Sequence, residues 1–249
     1  MAWVAGYIDV VSWLVLYHIY SSHMTGNTAS FAHDIAAGQL IQALQYGWPI
    51  LPFIAGLLYS AATTKVARRH GIHASFSIAL STELILLILF LLLGLMYLDN
   101  GEIKVPAPWI EYLMLSLPCA AMGMQTETVT RINGLRVYTT YVTGTLSKWA
   151  EAVVDYVFWW KDRISQHHPT RLRRVLLVAL HQKSIQHAAL TAGLWTGFFA
   201  GALCGVLLEA RYSIFSLIEP MTVLIAAIIV DLVWPVAAAD EPMEIDSAH

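Results

Sequence analysis

Charge is scarce in this sequence. Asp, Glu, Lys and Arg together make up 12% of its 249 residues, about half the share usual in a soluble domain, which excludes an ordinary water-facing surface. Cysteine is scarcer still: Cys119 and Cys204 occur alone, each inside an apolar stretch. That leaves no disulfide framework and no Cys-x-x-Cys pattern, and free cysteine in such surroundings behaves as a small hydrophobe. Also missing are a phosphate-cradling P-loop, a Gly-x-Ser-x-Gly elbow and an HExxH helix, so nucleotide hydrolysis, serine-hydrolase chemistry and zinc proteolysis lack their signatures. No catalytic residue, cofactor or metal is called for. The first apolar segment has neither a preceding basic region nor a small-residue cleavage site, so Met1 to Tyr20 reads as a retained span rather than a signal peptide.

What is there instead is apolar surface: 57% of residues are hydrophobic and the mean hydropathy is +0.60. Such a composition belongs in a bilayer. A crossing needs about 20 mostly apolar residues, and six stretches qualify, at about 3–20, 48–66, 74–98, 109–128, 188–208 and 214–234. Every Lys and Arg except Lys104 and Arg211 lies either at the end of the second stretch and just after it, or between the fourth and fifth. These two loops are therefore expected in the cytoplasm. They are separated by two crossings, so the bookkeeping closes with both termini cytoplasmic in a multi-pass protein of the cell membrane.

Words recur along the chain in a fixed order. Ser22-His23-Met24-Thr25-Gly26-Asn27-Thr28 is echoed by Tyr141-Val142-Thr143-Gly144-Thr145, Gly6-Tyr7 by Gly123-Met124, and Phe53-Ile54-Ala55-Gly56 by Phe198-Phe199-Ala200-Gly201. An acid also sits inside an apolar run in each half, Glu83 and Glu219. These landmarks argue for an internal duplication. Three spans per half is an odd number, so the second half would enter from the opposite side, an arrangement common among secondary transporters. The same words, SHMTGNT early and GMQ with TTYVTGTL later, resemble the YoaK-like membrane proteins, a family of unknown function. The resemblance covers most of residues 3–235 and implies class and architecture without an activity. The stretch from about Ala150 to Lys183 is longer than it implies.

The fold expected is thus all-α and integral to the membrane: a first repeat at 1–107, a second at 108–236 with a basic cytoplasmic insertion at 146–183, and a disordered acidic tail at 237–249. Two segments, Thr28 to Tyr46 and Leu146 to Trp160, are too polar for lipid-facing crossings and read as interfacial or re-entrant pieces after the Thr-Gly motifs. The basic stretch Ser165 to Lys183 reads as a solvated face near anionic headgroups, not as a nucleic-acid site. Asp9 and Glu83 are the leading site candidates, since a charge at the bilayer centre costs about 2.5 to 3.5 kcal/mol. Their reading is a proton or cation relay, or a contact to a polar substrate; a buried structural hydrogen bond is the alternative. Thr25, Gly26, Asn27, Thr143 and Gly144 are candidate cavity-lining residues at helix breaks, with close packing as the alternative. Gln125 joins this pathway list. Glu219 and Asp231, nearer the ends of the last span, are weaker candidates. The glycines at four-residue spacing, Gly56 before Ser60 and Gly193, Gly197, Gly201 and Gly205, read as helix-packing faces. The function expected is carriage of a small solute, with proton coupling and homo-oligomer formation open. A membrane enzyme, or a structural or regulatory membrane protein, is the alternative.

Overall fold

The computed structural model describes residues 1–71, 75–99, 102–103, 108–129, 142–166 and 183–234. Among them are nine α-helices: α1 (Ala2–Val15), α2 (Met24–Ala36), α3 (Leu40–Gly47), α4 (Ile50–Arg69), α5 (Ser75–Tyr97), α6 (Pro108–Val129), α7 (Val142–Gln166), α8 (Lys183–Tyr212) and α9 (Ile218–Val233). A 3-10 turn at Ser213–Leu217 joins α8 to α9, and the only strands among the described residues are a two-residue antiparallel pairing of β1 (Leu98–Asp99) with β2 (Glu102–Ile103). The protein is therefore all-helical in substance. The expected basic stretch after Gln166, the residues Thr139 to Tyr141 of the second motif, and the acidic tail lie outside the described residues.

Length and composition qualify three stretches as able to cross a membrane: Leu40–Ala67, Phe76–Tyr97 and Ile185–Val233, the last comprising two helices and their turn. Their outward side chains suit hydrocarbon. Ile85, Ile88, Leu89 and Leu92 of α5 and Phe199, Leu203, Val206 and Leu207 of α8 are exposed, whereas Leu87 and Phe90 are fully buried. Rows of apolar groups on that scale are a liability in water. Helix α6 has 22 residues but interrupts its apolar run with Glu111, Pro118, Gln125 and Glu127.

Helix α1 is shorter than the stretch 3–20 suggests. It stops at Val15 after 14 residues, about 21 Å at 1.5 Å per residue against about 30 Å of hydrocarbon. The stop is a Schellman-type ending in which the His18 N–H reaches the Trp13 carbonyl at 3.1 Å and Tyr17 takes the left-handed position at φ 50°. The residues that close such an ending commonly touch, and here the His18 ring meets the Trp13 ring edge-on at 4.4 Å. The break therefore falls at Tyr17 and His18 (φ 60°), not at the motif glycine. Gly26 is the third residue of α2 and Gly144 the third of α7; each Thr-Gly pair lies in the first turn of a helix, and Gly26 has open space around it. The interruption that does come after the first motif separates α2 from α3, where Gly38 at φ 73° closes a second Schellman ending.

Helix directions emerge from paired contacts. Trp48 Nε1 donates to Ser116 Oγ at 2.9 Å and Ser60 meets Thr128 at 2.9 Å, so α4 and α6 run parallel. Ala2 lies by Gly197 and Val10 by Gly205, so α1 and α8 also run parallel. By contrast, Ser77 meets Asp231 while Gly94 meets Ile214, which makes α5 antiparallel to α9. Gln125 reaches Met1 and Glu111 lies against Tyr17, which makes α1 antiparallel to α6.

Both parallel pairs close on glycine. A Cβ added at Gly56 would fall on the Ala120 carbonyl, and one at Gly123 on the Phe53 carbonyl. On the other pair, a Cβ at Gly6 would fall on the Phe198 carbonyl and one at Gly201 on the Trp3 carbonyl. In all four cases the carbonyl belongs to the residue three positions before the partner glycine. Backbone touching backbone in this way needs hydrogen in place of a side chain. Gly193, at the same four-residue spacing, meets nothing.

Alanine should therefore separate these glycines. Gly6→Ala, Gly56→Ala, Gly123→Ala and Gly201→Ala are each expected to cost about 1 to 3 kcal/mol or more by overpacking. Gly193→Ala should be neutral or stabilise by up to about 1 kcal/mol through helix propensity. Thermal unfolding of the purified protein in detergent checks the contrast.

Candidate functional site

Two groups of buried polar side chains lie along α1 and its neighbours. The first is centred on Asp9, which is 2% exposed although it projects from an otherwise apolar helix. After the turn at Tyr17 and His18 the chain folds back so that the start of the SHMTGNT stretch meets this carboxylate. The Ser22 N–H donates to Oδ1 at 2.7 Å, Ser21 Oγ to the same oxygen at 3.2 Å, and His23 Nδ1 meets Oδ2 at 2.5 Å. Both carboxylate oxygens are thus engaged. Charge-assisted bonds of this kind are shorter and stronger than neutral ones. The hydrogen bond to Asp9 raises His23 above the ordinary histidine value, with burial acting in the opposite direction. Asn27 is buried and donates to the Tyr20 carbonyl at 2.9 Å, which ties the first turn of α2 to the same returning segment. Thr25 and Gly26 are exposed.

The second group is centred on Glu83 of α5. Its side chain is fully buried and neither Oε1 nor Oε2 has a hydrogen-bond partner among the described residues. Gln125 of α6, also fully buried, donates from Nε2 to the Met1 carbonyl at 3.2 Å and leaves its Oε1 without a partner. The Glu83 carboxylate lies within electrostatic range of the Met1 nitrogen, so both side chains converge on the start of α1. A buried polar atom without a partner costs about 1 to 3 kcal/mol, more when charged. Three acceptors in this state make the region the least satisfied part of the described core.

The remaining candidates are placed differently. Asp231 is buried and accepts from the Ser77 N–H at 2.8 Å and Ser77 Oγ at 2.7 Å, so it serves the first turn of α5, where a carboxylate suits the unpaired N–H groups. Glu219 is exposed in the first turn of α9; it does not share the environment of Glu83, despite the parallel in sequence. Thr143 is exposed and Gly144 half-buried at the start of α7. The fold thus brings Asp9 together with the first motif, and sets Glu83 and Gln125 each toward Met1. It does not gather Thr25, Gly26, Thr143 and Gly144 with either. His23 and Ser22 belong to the Asp9 group, which spacing did not reveal because the contact depends on the return of the chain after Tyr17. Among the described residues no three His, Cys, Asp or Glu are grouped as a metal site would need.

An all-helical bundle with lipid-facing rows and buried acids defines a polytopic membrane protein. The chain belongs to the family described as protein of unknown function DUF1275, whose model matches residues 1–230. It is similar to the UPF0700 transmembrane protein YoaK of Bacillus subtilis (strain 168), with 24% identity over 176 residues, covering 70% of this chain and 73% of that protein. No solved structure matches.

The Asp9 group makes a graded prediction. Asp9→Ala leaves the Ser22 N–H without its acceptor, a loss of about 1 to 3 kcal/mol, whereas Asp9→Asn keeps an oxygen for it and should cost less. The His23 contribution has a definite pH sense. Because its folded value is raised, the stabilisation is complete below the unfolded value of about 6.5 and fades as pH rises through the folded value. Unfolding midpoints of wild type minus His23→Asn, measured from pH 5.5 to 9, should therefore shrink with increasing pH.

Proposed function

We propose that this protein is a secondary carrier for a small solute, built from two three-helix halves that enter the membrane of the cell in opposite senses. The helix directions carry the reading. If α1, α4 and α5 of the first half correspond to α6, α8 and α9 of the second, the pair α1 with α8 exchanges with the pair α6 with α4. Both pairs are parallel, both close on duplicated glycines, and the exchanged partners α1 and α6 run antiparallel, as do α5 and α9. An inverted repeat requires this set of directions. Carriers of that design hold their substrate near the midplane between the halves, and the seam between α1 and α6 is where Asp9 and Gln125 lie, with Glu83 facing it from α5. In this reading Glu83 and Asp9 are the groups that contact the solute or a coupling proton. The exposed Thr25 and Thr143, with Gly26 and Gly144, open the helices at the two mouths.

Counterflow in proteoliposomes across a panel of organic anions, cations and polar neutral solutes tests the function. Saturable exchange of one class is expected, reduced at least tenfold in Glu83→Gln with monodispersity retained. Lipid turnover by the purified protein, with no exchange of any solute, would instead favour a membrane enzyme. Absence of both would leave a structural or regulatory role for the basic loop and α7.

A further inference from the structure

We propose that Glu83 and Gln125 form a binding site for a monovalent inorganic cation between α5 and α6. Three oxygens in this part of the core are left over. Glu83 Oε1, Glu83 Oε2 and Gln125 Oε1 are buried acceptors without donors among the described residues, and the Gln125 amide is turned so that its nitrogen, not its oxygen, is spent on the Met1 carbonyl. A group that only donates, or a cation, complements all three oxygens. An oxygen-only set belongs to hard cations, whereas sites for zinc or copper use imidazole and thiolate. Those are not grouped here among the described residues.

Charge selects the valence. One carboxylate facing apolar neighbours such as Leu87 and Phe90 of its own helix is balanced by a single positive charge, and a divalent ion would leave an uncompensated charge in a low-dielectric core. A proton also carries one charge, but it bonds to one oxygen and is shared with at most one other. It leaves the third acceptor unpaired, whereas a metal ion accepts several oxygens at once. The Met1 amino group is in electrostatic range of Glu83, but no hydrogen bond joins them, and burial lowers the amine's pKa and so disfavours the charged form that would balance the carboxylate.

The site proposal stands on these oxygens; only its role as a coupling ion rests on the carrier reading. Sodium is the probe. Full-length protein purified in choline chloride is titrated with sodium chloride at constant ionic strength and pH, and binding is read both as the unfolding midpoint and as bound radioactive sodium. A ligand that binds only the folded state raises its midpoint with saturation. Wild type is expected to bind about one sodium per chain and to show that rise. Glu83→Gln should lose binding at least tenfold while remaining monodisperse, and Gln125→Met, which keeps the length but removes the amide oxygen, should weaken it several-fold. Identical responses of wild type and Glu83→Gln, or no response beyond that to choline, would overturn the site. So would a protonated-carboxyl infrared band at neutral pH that is insensitive to sodium and lost in Glu83→Gln. If sodium binds as expected but no solute is exchanged in liposomes, the carrier reading fails and the site remains.

Discussion

Close backbone contact at two glycine crossings is the constraint on which the rest of this structure depends. Membrane helices gain little from the hydrophobic effect against one another, because lipid is as apolar as a leucine side chain, so association relies on packing and on polar contacts between helices. Gly6 with Gly201, and Gly56 with Gly123, bring backbone onto backbone. Each crossing then fixes its surroundings. Along α4 and α6 it sets up the Ser60 to Thr128 and Trp48 to Ser116 hydrogen bonds, while along α1 and α8 the contact continues to Gly205 against Tyr7 and Val10. Tyr7, held in this way, is fully buried and donates to the Ser216 carbonyl at 2.8 Å, tying α1 to the turn between α8 and α9.

Asp9 shows how one buried charge organises a segment that would otherwise have no reason to stay in place. A non-glycine residue in the left-handed region is uncommon and strained, and the chain uses two in succession, Tyr17 and His18. That conformation persists because the next residues are anchored: Ser21, Ser22 and His23 on the Asp9 carboxylate and Tyr20 by Asn27. Glu83 is the opposite case. Its two oxygens are buried without hydrogen-bond partners among the described residues, so the surrounding core gives it no structural task comparable to that of Asp9.

Much of this was legible in the sequence. Hydropathy located helices in the regions they occupy, and the duplicated Gly6, Gly56, Gly123 and Gly201 were visible as landmarks. Their meaning as reciprocal contacts was not, since spacing along one helix does not say which helix it meets. The end of α1 was misplaced because Leu16 to Tyr20 contains no glycine, proline, carboxylate, lysine or arginine to mark a stop, and the helix ends through the backbone geometry at Tyr17 and His18. The break was sought at Gly26, the residue that tolerates unusual geometry most easily, and found at two residues that carry side chains. Asp9 and Glu83 stood out together by depth alone. Sequence could not separate a carboxylate met by three donors from one met by none.

The central claim is that the two halves are equivalents placed in opposite senses, and side-specific labelling of single cysteines tests it most directly. In a background with Cys119 and Cys204 replaced, membrane-impermeant reagent should reach a cysteine at Asn100 from outside intact cells. Cysteines at Arg69 and Ser165 should react only after the membrane is opened. Labelling of positions 69 and 100 from the same side would contradict the account, because α5 would then not cross the membrane and the opposed halves could not be built.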